Sequence, residues 1–358
     1  MRGKPTENHP LVSIVIPHIG ASGILYDCLE SIARSTYRPV EILVVDNGSD
    51  LTVGWLERLE VPYRYLKNDR NLGFAGGCNV GIRQAQGKYV VLLNNDTRVD
   101  PNWLEPLVRE MEQDEFLAAC QPRLLSSRFL GKLDYSGAMG GLLDIFGYPF
   151  AIGRIFTAIE LDENQYPQRY EIFWASGTAS IWRKSLFTWI GYLDEDFFAH
   201  MEEIDLNWRC HLCGFHVRSV AESRVHHYSG YSLGQEDWQK MYLNHRNNLV
   251  MLLKNYEGNT LLWLYPLRLV MEISTAATAL ATFKGKRLMA VVLAQFYILL
   301  HVSEIYYKRR QIQSLRRVGD AVLFDRMLRG SVVWHYFVKR QSRVTQFMQI
   351  RAIKYDER

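Results

Sequence analysis

The strongest constraint on this 358-residue chain is a rhythm in which short β-rich apolar runs alternate with helical stripes. Val12–Ile16 stops at Pro17, Val40–Val45 runs into Asp46-Asn-Gly-Ser49, and Tyr89–Leu93 runs into Asn94-Asn-Asp96. These runs are apolar almost throughout, as in strands covered on both faces. Between the first two, Ile24, Leu25, Cys28, Leu29 and Ile32 form a helical stripe. Residues 51–59 read as a short helix and Tyr63–Leu66 as a strand. Gly76–Gln86 reads as a helix behind a glycine-rich loop, and Pro101–Gln113 as a helix with proline near its first turn. The order predicts an α/β fold, a mostly parallel sheet flanked by helices. Ligands of such sheets bind beyond the carboxyl ends of the strands, where both polar clusters fall.

Further along, residues 125–170 read as irregular and 172–190 as a strand through Ser180 followed by a helix. Residues 201–213 carry the helical stripe Ile204, Trp208 and Leu212, closed by Gly214. Val217–Val220 is a late strand, and from Trp238 the pattern is helical to the end. This divides the chain into an α/β domain, 1–237, and a C-terminal helical extension, 238–358.

Charge follows that division. Residues 261–358 hold 17 Lys/Arg and 6 Asp/Glu, whereas the whole chain holds 42 and 38. A basic tail on an acidic body favours an anionic partner. The apolar stretches 261–283 and 288–300 flank Lys284, Lys286 and Arg287, and Lys308, Arg309 and Arg310 follow. Apolar helices beside basic clusters suit peripheral contact with a membrane surface; the plainer alternative is packing on the body or on another subunit. The start of the sequence, MRGKPTENHP, has no apolar signal core, and five cysteines form no paired framework. Both point to a cytoplasmic location, at the inner face of the cytoplasmic membrane. Cys210 and Cys213 form a CxxC, but no second pair completes a zinc site.

Several clusters could carry chemistry. Asp46 can accept from a base N–H, or cap a local turn. Gly73, Gly76 and Gly77 open a helix whose N-terminus would favour an anion. Asp96 can give an oxygen ligand to Mg²⁺ or Mn²⁺, which need few protein ligands when a diphosphate supplies others. Glu202, Glu203 and Asp205 begin a helix, where acids are favoured by its dipole but could also act as a general base. His226-His227 offers imidazole. Arg246 could contact phosphate or cap a carbonyl. Neither GxGxxG nor GxxxxGK[ST] occurs, which disfavours a dehydrogenase or a P-loop enzyme, and the basic tail lacks any nucleic-acid-reading motif.

In order, VSIVIP, VVDNGSD, NLGFAGGCNVGI, YVVLLNNDTRVDPNWL, SGTASIWR, FFAHMEEIDLNWR, VHHYSGYS and YLNHRNNLVMLLK resemble the family 2 glycosyltransferases of the GT-A (Rossmann-like) fold. The likeness is to bacterial rhamnosyltransferases and other surface-polysaccharide enzymes. It implies a metal-dependent, inverting transfer of sugar from a nucleotide diphosphate, UDP- or dTDP-linked, to a saccharide or lipid-linked acceptor. Pro17, Asp46, Asn47, Ser49, Asn71, Gly73, Phe74, Asn79, Asn94 and Asn95 would hold the donor, with Asp46 reading the base. Asp96 ends the DxD-like metal motif, whose first place is Asn94 here. His226, preferred over His227, would be the second metal ligand. Glu203 stands where the family usually has the aspartate of its Glu-Asp pair and would be the base, with Asp205 assisting or replacing it. Trp174, Ser176, Gly177 and Glu202 would face the acceptor. A non-catalytic nucleotide-sugar-binding or membrane scaffold protein is the alternative, and self-association stays open.

Overall fold

A computed structural model describes residues 9–20, 22–49, 62–228 and 238–353. The helix expected at 51–59 and the domain boundary expected at 237 lie outside them. The first elements are β1 (Val12–His18), α1 (Ser22–Ala33), β2 (Val40–Asn47), β3 (Tyr63–Asn68), α2 (Gly73–Gln84) and β4 (Tyr89–Leu93). The four strands lie parallel in the order β3-β2-β1-β4. Successive side chains on a strand point to opposite faces, and here both faces are apolar. Val12, Ile14 and Ile16 of β1 pack with Leu25 and Leu29 of α1, while Val15 packs with Ala75 and Cys78 of α2.

Then come β5 (Thr97–Val99), α3 (Leu104–Gln113) and β6 (Leu117–Ser126). The stretch expected to be irregular holds a small antiparallel sheet: β7 (Gly141–Leu143), β8 (Pro149–Ala151), β9 (Arg154–Ile155) and β10 (Ala158–Ile159). Strands of two or three residues carry too little periodicity to be read. Gly141 is needed there for space, since a Cβ would lie 2.0 Å from the Trp174 ring.

β11 (Arg169–Ile172), β12 (Ala179–Arg183), α4 (Ser185–Ile190), α5 (Glu202–Leu212) and β13 (His216–His227) complete the body. β12 lies between β4 and β6 and runs antiparallel to both, so the ten-stranded sheet is parallel at one side and mixed at the other. No helix separates β6 from β12, and a chain returning without a crossover helix runs the opposite way.

The helices α6 (Trp238–Asn255), α7 (Gly258–Ala281), α8 (Gly285–Leu300), α9 (Val302–Leu315) and α10 (Asp320–Phe324) follow. The region is not helical to its end. β14 (Ala352–Ile353) returns to the sheet and pairs antiparallel with β11.

Candidate active site

β1, β2 and β4 end side by side, with His18 in register with Asp46 and Asn95 Nδ2 lying 2.7 Å from His18 Nδ1. Just past β4, the Asn94 N–H donates to the Thr178 carbonyl, which ties this end to the segment leading into β12. β5 pairs with the end of β13, setting His227 opposite Thr97 and beside Asp96. His227 is buried, with Nε2 3.1 Å from Asp96 Oδ1 and Nδ1 2.9 Å from Asp134 Oδ1. Burial opposes charge on this ring, but hydrogen bonds to Asp134 and Asp96 outweigh it and raise the imidazole to about 10.

The expected ligand His226 is corrected by this geometry. It sits on the other face of β13, partly exposed and 3.2 Å from Asp100. Alternation decides the matter: Ser223, Val225 and His227 share the buried face. Among the described residues no cluster of three or more His, Cys, Asp or Glu side chains is set to hold a metal. Asp96 and His227 nevertheless fit one. An ion that displaces the Nε2 proton would meet an oxygen and a nitrogen donor there, with Asp134 holding the ring from behind as carboxylates do for ligating histidines.

The acidic helix reaches the same end of the sheet. The Ser176 hydroxyl donates to the Ser136 carbonyl, and Ser136 Oγ is 3.4 Å from His227 Nδ1. The neighbouring Gly177 lies under the Phe74 ring, and a Cβ built on it would be 4.0 Å from Glu203 Cβ. Asp96 and Glu203 are therefore joined through a short set of contacts. The Glu203 carboxylate has a buried oxygen, Oε2, with no hydrogen-bond partner, and so does Glu202. Burial pushes Glu203 up, to about 7, and pushes Glu202 well above the usual carboxylate range, where the neighbouring Glu203 charge adds to the rise. Glu202 is almost wholly enclosed, whereas Glu203 is partly open.

Residues 13–187 match the family model described as Glycosyl transferase family 2. They form a family 2 glycosyltransferase domain. An uncharacterized glycosyltransferase of Haemophilus influenzae is 33% identical over 117 residues, covering 32% of this chain and only 36% of that protein. The N-acetylglucosaminyl-diphospho-decaprenol L-rhamnosyltransferase of Mycobacterium tuberculosis is 26% identical over 279 residues, covering 69% and 85%. Among solved structures, GalNAc-T7 with UDP, GalNAc and Mn²⁺ superposes with a TM-score of 0.53 at 17% identity, covering 66% of this chain and 49% of that one. That likeness concerns the fold, which is of the expected GT-A type. Glu203 and His227 lie beyond the matched residues of the transferase domain.

Several residues expected to touch substrate are committed to the transferase scaffold instead. Asn47 donates to Asn71 Oδ1 and the Gly73 carbonyl and accepts from Asn68 and the Leu72 N–H, which uses its full side-chain capacity. Asn71 Oδ1 also accepts from the Gly73 N–H. Asn79 is spent on the Leu193 backbone and Glu195. Gly73, at φ +72°, lets the Phe198 carbonyl approach, since a Cβ would lie 2.3 Å from that oxygen. The Ala75 N–H donates to the same carbonyl, so the start of α2 is capped by protein. Pro17 packs against Gly77. Trp174 is a core residue whose indole N–H donates to the Leu142 carbonyl. Asp46 accepts from the Ser49 N–H and hydroxyl and from the Tyr65 hydroxyl, leaving about one of its roughly four lone-pair sites.

Asp205 is corrected as well. It is fully buried, 3.1 Å from Arg209, 3.2 Å from Lys254, and accepts from Asn255. Both of its oxygens are engaged by Arg209, Lys254 and Asn255 inside the core, which leaves none facing a substrate. Asp205→Asn is expected to lower stability by about 2–3 kcal/mol in denaturant unfolding, because it strips charge from a buried network. Cys210 and Cys213 are buried, each with a free thiol.

The loop before α5 is the main feature that sequence reasoning missed. Phe198, His200 and Met201 all have positive φ, at 62°, 70° and 73°. Non-glycine residues in this region are strained and persist only when held. Asn247 of α6 holds them by donating to the carbonyls of Phe197, Ala199 and His200. Arg246 caps the Asp196 and Phe197 carbonyls, which is the plainer of its two sequence readings. The triple use of Asn247 is invisible in sequence, because its partners lie some 50 positions away. Asn247→Ala should cost about 2–3 kcal/mol and lower turnover as the loop relaxes, checked by thermal melts alongside rate assays.

Proposed function

We propose that the chain is a metal-dependent, inverting glycosyltransferase acting in cell-surface polysaccharide synthesis, with Glu203 as the base. The observation that carries this reading is the Glu203 carboxylate. It is unpartnered at one buried oxygen, raised by burial, and set at the end of the sheet that also holds Asp96 and His227. A base whose ordinary range is moved toward neutrality is matched to taking a proton from a hydroxyl near pH 7.

A nucleotide-sugar donor is supported by the match to the family 2 glycosyltransferases and by GalNAc-T7, which is seen with UDP, GalNAc and Mn²⁺. Asp46 would use its remaining lone pair to accept from the base ring N–H of a UDP- or dTDP-linked donor. Asp96 and His227 Nε2 are the residues that would hold Mg²⁺ or Mn²⁺, the remaining ligands coming from the diphosphate and water. The cation supplies positive charge to the leaving diphosphate. Asp134 keeps the His227 ring oriented through Nδ1. Glu203 removes the acceptor proton while the oxygen attacks the anomeric carbon from the face opposite the leaving group, which inverts it. Gly177 and Phe74 shape the space beside Glu203.

The test is a donor screen. The purified protein is incubated with nucleotide sugars and Mn²⁺ or Mg²⁺, and released nucleotide diphosphate is measured. Metal-dependent release from one donor is expected. Tight donor binding with no release from any donor, under either metal and with added saccharide or lipid-linked acceptors, would instead establish the non-catalytic reading.

A further inference from the structure

The helix α7 is built inside out. Its inward stripe is Thr260, Leu264, Arg268, Glu272 and Ala279, all buried. Arg268 and Glu272 are each only 1% exposed, paired with one another, and Glu272 also lies 2.8 Å from His245 Nδ1. The outward face of the same helix carries Leu262, 78% exposed, with Ile273 and Leu280. A helix surrounded by water shows the reverse pattern, apolar inside and charged outside. A helix seated against hydrocarbon hides its charges against protein and turns its apolar side chains outward.

α8 continues the same surface. Ala290, Val291, Ala294 and Ile298 face inward, while Leu299 and Leu300 lie open. The turn joining the two helices projects Phe283, 96% exposed, beside exposed Lys284, Lys286 and Arg287. No acidic residue occurs between Glu272 and Glu304. The patch is therefore both apolar and uniformly cationic. A second copy of the chain would bring no carboxylate from this stretch to meet those cations, whereas anionic headgroups above an acyl layer complement both properties. No single described helix is long and apolar enough to cross a membrane, and the one pair that reaches that length together, α8 with α9, is bent by 74° between its halves.

We infer that the outer face of the α7–α8 hairpin docks on an anionic phospholipid bilayer, with Phe283 and its basic neighbours at the leading tip. The docked element is firmly joined to the candidate site. α8 packs on α6, where Arg246 lies 4.9 Å from the Tyr297 ring of α8, and α6 clamps the strained loop before Glu203. Docking would hold that loop at a fixed height above the membrane. This goes beyond the transferase reading and does not depend on it.

The experiment is flotation of the full chain with vesicles of phosphatidylglycerol and phosphatidylcholine, and with phosphatidylcholine alone, beside sedimentation velocity without lipid. The unmodified chain should float with the anionic vesicles and partition at least about tenfold less onto neutral ones. The double variant Ile273→Glu, Leu299→Glu should lose about tenfold or more of its partition while keeping its melting temperature, since both side chains are exposed. Lys284→Glu, Lys286→Glu, Arg287→Glu should abolish the preference for anionic lipid. Failure of the unmodified chain to float, or equal flotation of the double variant, overturns the inference. So does a double variant that breaks up an oligomer without changing flotation, which would assign the face to a second copy. Partition is read without turnover, so its failure and that of the transferase reading remain distinct.

Discussion

Glu203→Gln is expected to reduce sugar transfer by about 10²–10⁴-fold while leaving nucleotide diphosphate affinity nearly unchanged. The amide keeps the shape of the side chain and removes only its ability to take a proton. The same substitution should also stabilise the fold. Burial raises Glu203 from 4.5 to about 7. Between those values the folded chain holds the proton and the unfolded chain does not. The unfolded state then binds fewer protons, and stability falls as pH rises through that window. Above it the folded state bears the full cost of a buried carboxylate. Glutamine has no such cost, so at pH 8 the variant should be more stable by about 1–2 kcal/mol, and near pH 4 the two should agree. The activity of the unmodified enzyme should decline as pH drops below about 7, where the base is protonated. Denaturant melts at two pH values, with single-turnover rates, check both halves. A Gln variant that is slow and also less stable at pH 8 would mark Glu203 as a structural residue.

Asp96→Ala is the second large effect. It removes the carboxylate that would hold the cation and leaves His227 facing Asp134 alone. Transfer should fall by about 10²–10³-fold, and donor affinity should cease to respond to Mn²⁺, as read by calorimetric titration with and without metal. The paired histidines provide an internal control. His226 makes a partly exposed contact with Asp100, so His226→Ala should change stability by less than about 1 kcal/mol and leave metal response intact. His227→Ala should abolish metal response much as Asp96→Ala does. The opposite outcome for the two histidines would restore His226 as the ligand and undo the strand register described above.

The parallel core was legible because β1, β2 and β4 are apolar on both faces and each ends in a polar cluster at the same edge. The resemblance singled out Asp96 and Glu203, and the structure joins the two positions through Gly177 and Ser176. The histidine register was readable in principle: Val225 marks the buried face, and His227 is two residues on. Asp134 and Ser136 were not readable, because they sit in a stretch of very short strands without periodicity and meet His227 over some 90 positions. Asn47 and Asn79 sit among the matching motifs yet serve the backbone of neighbouring loops, so a motif marks a place in the fold without saying which of its atoms are left for a ligand. The inverted polarity of α7 needed coordinates, since a stripe of apolar residues reads the same whether it faces the core or the outside.

The return of Ala352–Ile353 to the margin of the main sheet imposes an order on biosynthesis. Arg169 and Tyr170 leave the ribosome with one side of their backbone unsatisfied, and the partner that closes it is made only after seven further α-helices. Until then the growing protein carries an open strand that could pair with a neighbour on the same message, a hazard that truncations or fusions near residue 352 would make permanent.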